Sequence, residues 1–506
     1  MNALDRLIAS VAPTMGLRRA QARAVLAMYE GADRTRLRKV HHEARNINDL
    51  VKKSAPNLRA QARHLERNHD LARGGIRTFV NNVVGATGIG VEPQPRRLDG
   101  TVHEEYAAAL TAAHKEWRRR PEVTKRWDWE HCQRLLARRW AVDGEVFAQR
   151  LIGPVQYLDH GKPVPYSLEL LEADMIPHDF DRDASDGQRN SIRQGIERNA
   201  WGEPRAAWVY RYQPDEAIKV LADASQLKRL PWDRILHLMD ADRIHQIRGV
   251  SMLASIITRL EDIKDYEESE RVAAKISAML TAYVKKGSPD MANPTDTQVD
   301  AAGNPVPRQI ALSPGMIIDN LGIGEEIGLI DSKRPNPNLI TFRQGQLRAG
   351  AAGFGISYSS FARDYAGTYS AQRQELVEQW VNYAVLTDDF VGMVSVPTWE
   401  DFVRAAHLSG VVPMPKDLKP GTETEALYVA QSMPWIDPLK EAYACAELVK
   451  AGFASEVEMI RKRGGNPTDV LEQIATWRRK CAELGVAFTT STAPEVLQGL
   501  LAGQES

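Results

Sequence analysis

Cysteine is scarce in this chain of 506 residues: Cys132, Cys445 and Cys481 stand far apart and form no CxxC pair. That excludes a disulfide scaffold and a Cys-rich metal site, and it points to a reducing compartment. Long apolar runs are absent as well. Nothing approaches the ~20 residues that a bilayer-spanning helix needs, so no membrane is expected as a partner. The N-terminal stretch MNALDRLIASVAPTMGLRRAQARA has only a short apolar segment ahead of its arginines and does not read as a signal peptide. A surplus of one charge is also missing. The formal net charge is −1, which excludes a polycation built throughout to grip nucleic acid.

Catalytic signatures are equally scarce. The one Gly-Lys dipeptide, Gly161-Lys162, is followed by Pro163 where a P-loop needs Ser or Thr, which argues against a motor ATPase. HHEAR at 41–45 begins like a zincin helix, but Asn46 occupies the place of the second histidine. His237, Asp240, Asp242 and His245 can be drawn as a metal cluster, yet the apolar residues around His237 read better as a strand and its following loop. Asp388-Asp389 would suit a two-metal site, but neighbours at i and i+1 on a helix do not face each other. No GxSxG is present. The expectation is no catalytic residue, no metal and no cofactor, hence a structural or binding role rather than an enzyme.

What is present is uneven charge and a clear order of elements. Length alone implies about three domains. Residues 1–80 hold 16 Lys and Arg against 7 Asp and Glu; residues 287–337 hold 3 against 7. The basic end is either a solvated arm or a contact for nucleic acid or a partner. Residues 15–80 read as helices, with Leu58, Ala62 and Leu65 on one face and Leu71, Ile76, Phe79, Val80, Val83 and Val84 on another, ending at Gly85. From Leu135 the pattern changes to short strands in GEVFAQRLIG, YSLELLEADMIP, GIERNAWGEPRAAWVYRY and WDRILHLMD, with NAWGEP as a hairpin turn. The class is therefore α+β. A long helix is expected over 250–286, with a nearly all-polar middle, EDIKDYEESE. Seven prolines follow in 288–337, an irregular lobe with strand-like pieces at 309–312 and 316–318. A helix returns from Leu339 to about Phe354, and a loop rich in Tyr, Ser, Gly and Ala, FGISYSSFARDYAGTYS, leads into another long helix. Proline-delimited helices occupy the rest.

Six segments in this order resemble the portal proteins of tailed bacteriophages, of the lambda type: RNHDLARGGIRTFVNNVVGATGIGVEPQP (67–95), LELLEADMIP (168–177), GIERNAWGEPRAAWVY (195–210), ILHLMDADRIHQIRGVSMLASII (235–257), AGFGISYSSFARDYAGTYSAQRQELVE (352–378) and MPWIDPLKEAYACAELVKAG (433–452). The resemblance covers about 25–460. It implies a portal fold: a ring oligomer, usually of twelve copies, with an α/β wing, a two-helix stem, a small β-containing clip and a helical C-terminal crown. The divisions expected are 1–249 for the N-terminal region and wing, 250–286 and 339–356 for the stem helices, and 287–338 for the clip. The tunnel loop would be 357–371, the long helix and rest of the wing 372–440, and the crown 441–506. Such a ring sits at one capsid vertex, after assembly in the host cytoplasm. Double-stranded DNA is packaged and ejected through it without sequence specificity. Terminase, head-completion proteins, and capsid and scaffolding proteins are the implied partners.

Physical chemistry suits that role. Arg259, Lys264 and Arg271 can pair with Glu261, Asp265 and Glu268 of a neighbouring stem, each exposed pair contributing roughly 0–1 kcal/mol. A channel for moving DNA should not bind phosphate tightly, because every Lys or Arg on a phosphate adds salt-dependent grip. The loop has a single Arg, Arg363, followed by Asp364. Tyr358, Tyr365 and Tyr369 either meet DNA lightly through shape and hydroxyl groups or pack the loop against neighbouring stems. The rival class is a metal-dependent nucleic-acid-processing enzyme; another head–tail adaptor or structural virion protein is the second alternative.

Overall fold

The structure of the protein, a computed structural model, describes residues 12–15, 18, 45–185, 190–213, 226–279, 283–285, 326–328, 338–434 and 437–484. The chain divides into two compact units, 1–51 and 52–506. Of the first, only residues 12–15, 18 and 45–51 are described, so HHEAR lies outside the described residues except for Arg45.

The helices α1 (Ile47–Asn68) and α2 (Asp70–Val83) form from the apolar spacing read in the sequence. Ala62, Leu65, Ile76, Phe79 and Val83 are buried, and Gly85 follows the helix with φ +81°. A short strand, β1 (Gly90–Pro93), comes next, then α3 (Glu104–Trp117) and α4 (Trp129–Asp143). Asp128 starts α4 by accepting the His131 N–H.

Two antiparallel sheets occupy the middle of the chain. The first contains β2 (Glu145–Ile152) at its centre, flanked by β3 (Tyr166–Leu171) and by a strand that arrives much later. The second runs in chain order through β4 (Ser191–Arg193), β5 (Ile196–Arg198), β6 (Pro204–Tyr210) and β7 (Leu227–Pro231). β8 (Ile235–Met239) then returns to the first sheet and pairs with β2, with Phe147 opposite His237. Phe147, Leu171, Ile176, Val209 and Ile235 share a small apolar core between the sheets. NAWGEP forms the β5–β6 turn as expected: the Asn199 side chain accepts the N–H groups of Trp201 and Glu203. The short strands β4 and β7 have too few alternating residues to declare themselves in sequence.

After β8 the chain makes turns before α5 (Ile257–Met279). The expected helix over 250–286 is thus shorter at both ends, for visible reasons. The Met252 N–H donates to the Ala141 carbonyl and the Leu253 N–H to the Ser251 hydroxyl, so turns hold this stretch to α4. At the far end β9 (Tyr283–Lys285) pairs antiparallel with β10 (Glu326–Gly328), Val284 opposite Ile327. The strand-like pieces at 309–312 and 316–318 lie outside the described residues.

α6 (Leu339–Phe354) returns antiparallel to α5. A Cβ on Gly353 would lie 2.5 Å from Ile256. Arg259 donates to Gln346, Tyr266 meets Phe342 edge-on at 5.0 Å, and Arg343 pairs with Glu267. Among the α5 residues whose side chains are described, the buried apolar ones, Ile257, Leu260 and Ile263, lie at its base.

The loop after α6 contains one helical turn, α7 (Tyr358–Ala362), and leads into α8 (Tyr369–Phe390). A π-turn at Val391–Ser395 joins α8 to α9 (Val396–Leu408) with helical backbone at the junction, placing Pro397 in the first turn of α9. β11 (Ala426–Val429) pairs with β1, Tyr428 opposite Val91, and closes the body across more than 300 residues of sequence. The helices α10 (Pro438–Lys450), α11 (Glu456–Lys462) and α12 (Pro467–Glu483) end the described chain. Arg461 on α11 holds Glu92 of β1 through two hydrogen bonds of 2.8 and 2.9 Å.

The main core gathers α2, α4, the first sheet, the base of α5, α6, α8 and α9. Its tightest point lies where α4 meets the entry to α5. Gly144 ends α4 at φ +82°, and a Cβ there would fall 2.1 Å from the Val250 carbonyl carbon; a Cβ on Gly249 would fall 2.1 Å from the Gly144 oxygen. Two backbones thus touch where no side chain fits. Gly249→Ala is expected to cost ~3 kcal/mol or more in urea unfolding, because neither backbone can yield. Gly202→Ala, at φ +86° with nothing within 4 Å, is expected to cost only ~1 kcal/mol.

Candidate functional site

The turn α7 is fixed to the body from both sides. Ser357 caps it, its hydroxyl accepting the Ser360 N–H at 3.4 Å. Phe361 is buried against α2 at Gly75, where a Cβ would meet the ring at 2.9 Å. The Ser359 N–H donates to Glu375 of α8 at 3.1 Å. Loop and helix start are therefore tied together, and no sequence pattern marks the α2 glycine that seats the loop.

The four loop residues singled out in the sequence divide into two pairs. Tyr358 donates its hydroxyl to Asp364 at 2.7 Å, and its ring lies under the Arg348 guanidinium at 5.2 Å. Arg363 takes a left-handed backbone at φ +55° and donates to the Thr78 hydroxyl of α2 at 3.2 Å. Tyr358 and Arg363 thus have partners within the chain. Tyr365 and Tyr369 are exposed by 58% and 59%. Arg373 donates to the Tyr369 hydroxyl at 3.4 Å, so this tyrosine is oriented while remaining accessible.

The six α5 residues also divide. Arg259 is committed to Gln346, and Lys264 donates to the Asn68 carbonyl at 3.3 Å. Glu261, Asp265, Glu268 and Arg271 are exposed.

The histidine cluster of the sequence dissolves into a buried ionic centre. Glu145, the first residue of β2, is fully buried. Arg248 donates to both its oxygens at 2.8 and 2.9 Å, and the Gly249 N–H adds a third bond at 3.0 Å. Arg59 of α1 reaches the same carboxylate at 3.2 Å, and His237 Nε2 stands 3.1 Å from it. Arg248 spends its remaining donors on the carbonyls of Ala173, Ile176 and Gln194. Burial alone would raise the Glu145 carboxyl, but Arg248 and the two histidines hold it well below the usual range. Burial, with Arg248 adding to it, pushes His178 down to about 4, and burial outweighs Glu145 at His237, which is also lowered.

Asp240 and Asp389 come near one another across β8 and α8. Burial first, then Asp242 and Asp389, raise the Asp240 carboxyl; burial and Asp388 raise Asp389. Among the described residues no group of three His, Cys, Asp or Glu is placed to hold a metal. No described helix is long and apolar enough to cross a membrane.

Comparison with known proteins places the chain in a family. The description "Phage portal protein, lambda family" matches residues 33–386, and the chain belongs to that family. It is thus a structural, non-enzymatic component of the virion. A probable portal protein of Halomonas phage phiHAP-1 is 24% identical over 455 residues, 88% of this chain and 84% of the relative. Portal protein B of Escherichia phage lambda is 22% identical over 283 residues, 51% of this chain and 53% of its own length. Among solved structures, a chain from the virion of a native gene transfer agent particle aligns over 82% of this chain and 94% of its own, at 12% identity and a TM-score of 0.40.

The ionic centre gives a pH prediction. A histidine held neutral in the fold binds its proton less readily than in the unfolded chain, so stability is full above pH ~6.5 and declines as pH falls toward 4. His178 at about 4 and His114, driven by burial to about 3, both act in that direction. Glu145, held low in the fold, adds a further loss that begins once pH falls below the ordinary carboxylate value of about 4.3 and grows as pH drops towards its lowered folded value. Melting temperature is expected to fall steadily from pH 7 to pH 4. Glu145→Gln, which leaves Arg248 unpaired in the interior, is expected to cost about 3–5 kcal/mol by denaturant titration at pH 7.

Proposed function

We propose that copies of this chain close into a ring, in the family's manner of about twelve, at one capsid vertex, and that double-stranded DNA enters and leaves through its axis. Family membership supports the ring and the vertex. The observation that carries the channel is the loop between α6 and α8. It presents two exposed tyrosines on a rigid seat, and its single arginine is turned toward α2.

In this reading α5 and α6 are the stem. The region beyond β9 and β10 is the clip, where terminase and then head-completion proteins dock, and the loop around α7 is the tunnel loop. Tyr365 and Tyr369 touch the passing duplex, while Tyr358 and Arg363 hold the loop in shape. A hydroxyl donates to a phosphate oxygen and releases it without displacing a counterion. A lysine in the same place would add about 0.9 to the salt slope of binding. The exposed face of α5, with Glu261, Asp265, Glu268 and Arg271, meets a neighbouring stem. Capsid and scaffolding proteins contact the outer body.

Replacing Tyr365 and Tyr369 together by alanine is expected to leave particle assembly intact and to reduce the DNA packaged or retained per head several-fold, as read by nuclease protection. Tyr365→Lys is expected to slow packaging and to make it more sensitive to salt. Normal packaging by both variants removes these tyrosines from the channel.

A further inference from the structure

α8 carries an apolar ridge that its own chain leaves uncovered. Val377, Val381 and Val385 recur at i, i+4 and i+8 and are exposed by 43%, 65% and 58%. They lie on the solvent side of a helix whose opposite side buries Gln379, Tyr383 and Phe390. Three β-branched side chains in one row form a stiff ridge of the kind that packs into the groove of another helix.

The ridge's surroundings exclude a polyanion as its cover. From Gln374 to Asp389 the helix has no Lys or Arg and four carboxylates, Glu375, Glu378, Asp388 and Asp389. DNA and anionic lipid are both repelled there, so a protein surface must cover the ridge.

The same chain offers a complementary surface on α6. Thr341, Gly345 and Ala349 are exposed and follow the same i, i+4, i+8 row. The space above Gly345 is open, with nothing within 4 Å of where a Cβ would stand. Small side chains with a glycine at the centre make a groove, and i±4 ridges meet i±4 grooves at a crossing of about −50°. Charge agrees as well: exposed Arg348 borders the groove and exposed Glu378 borders the ridge. A ring closed by rotation needs two different, complementary surfaces on every copy.

We propose that the valine ridge of α8 docks across Gly345 on α6 of a second copy of this chain, forming part of the seam between neighbours. This rests on the ring reading above and deepens it by naming which surfaces meet. It also confines the DNA-facing part of α8 to its first turn, because the valine face is covered by protein.

The test uses the full chain with Cys445→Ala and cysteines introduced by Val381→Cys and Gly345→Cys. Under mild oxidation, or with a short bis-maleimide linker, the doubly substituted chain is expected to give a ladder of covalent multimers on a denaturing gel. Mixing the two singly substituted chains is expected to stop at dimers. A separate variant, Val381→Lys, is expected to keep its melting temperature within a few degrees and to lose at least tenfold in ring yield by electron microscopy. If rings form and neither the ladder nor the Val381→Lys defect is seen, this seam is overturned while the ring stands. If the unsubstituted chain forms no rings under capsid-assembly conditions, the ring reading itself falls, and this seam with it.

Discussion

The buried carboxylate of Glu145 is the constraint around which the body is arranged. A charge taken wholly out of water is tolerated only when its lone pairs are met by donors of opposite charge. Arg248 meets it with two bonds, Arg59 and the Gly249 N–H add two more, and Arg248 then binds the carbonyls of Ala173 and Ile176 between the sheets and of Gln194 in the β4–β5 turn. One ion pair thereby fixes α1, the start of β2, the second sheet and the entry to α5. Glycines at 144 and 249, the neighbours of this pair, let the two backbones touch beside it. The helix that leads away from the body starts from this centre, and its direction is set there.

The second half of the design is the contrast between that fixed base and what leaves it. α5 is anchored by three apolar residues and a histidine, His69, whose ring reaches the Leu260 carbonyl at 3.0 Å. Beyond Ile263 the helix is held to its antiparallel partner through Tyr266 and Glu267. The loop at the other end of α6 returns directly to the core through Phe361. The α5–α6 pair and the loop are thus connected through α6, whose Gly353 lies against Ile256 and whose Phe354 lies against Gly75 of α2.

Much of this was legible in the sequence where periodicity was strong. The helices α1, α2 and α6, the strands β2, β3, β6 and β8 and the hairpin at Gly202 follow from patterns of burial and turn chemistry that are local. The reading of 250–286 as one helix failed at both ends, because the residues there are held by partners distant in sequence, Ala141 at one end and Glu326–Gly328 at the other. β11 was missed for the same reason: its partner, β1, lies more than 300 residues earlier. At the candidate site, the sequence could not separate exposed from committed residues of the loop. Tyr358 and Tyr365 look alike in a string of letters; only Asp364 and Arg348 distinguish them. The Glu145 centre was hidden because a charged residue opening a strand reads as surface. The signal available was an unexplained Glu and Arg, each beside a glycine, in GEVF and IRGV.

The matched register of the projecting arm has a further consequence. Ile256 and Val284 are 28 residues apart, and their partners, Ile327 and Gly353, are 26 apart. Shortening one strut by a turn would throw every cross-pair above it out of alignment, so the two must change length together. The β9–β10 ladder adds a second constraint of a different kind: it sets the spacing of the two struts by backbone pairing, which tolerates side-chain exchange, whereas the α5–α6 contacts below it depend on the particular residues.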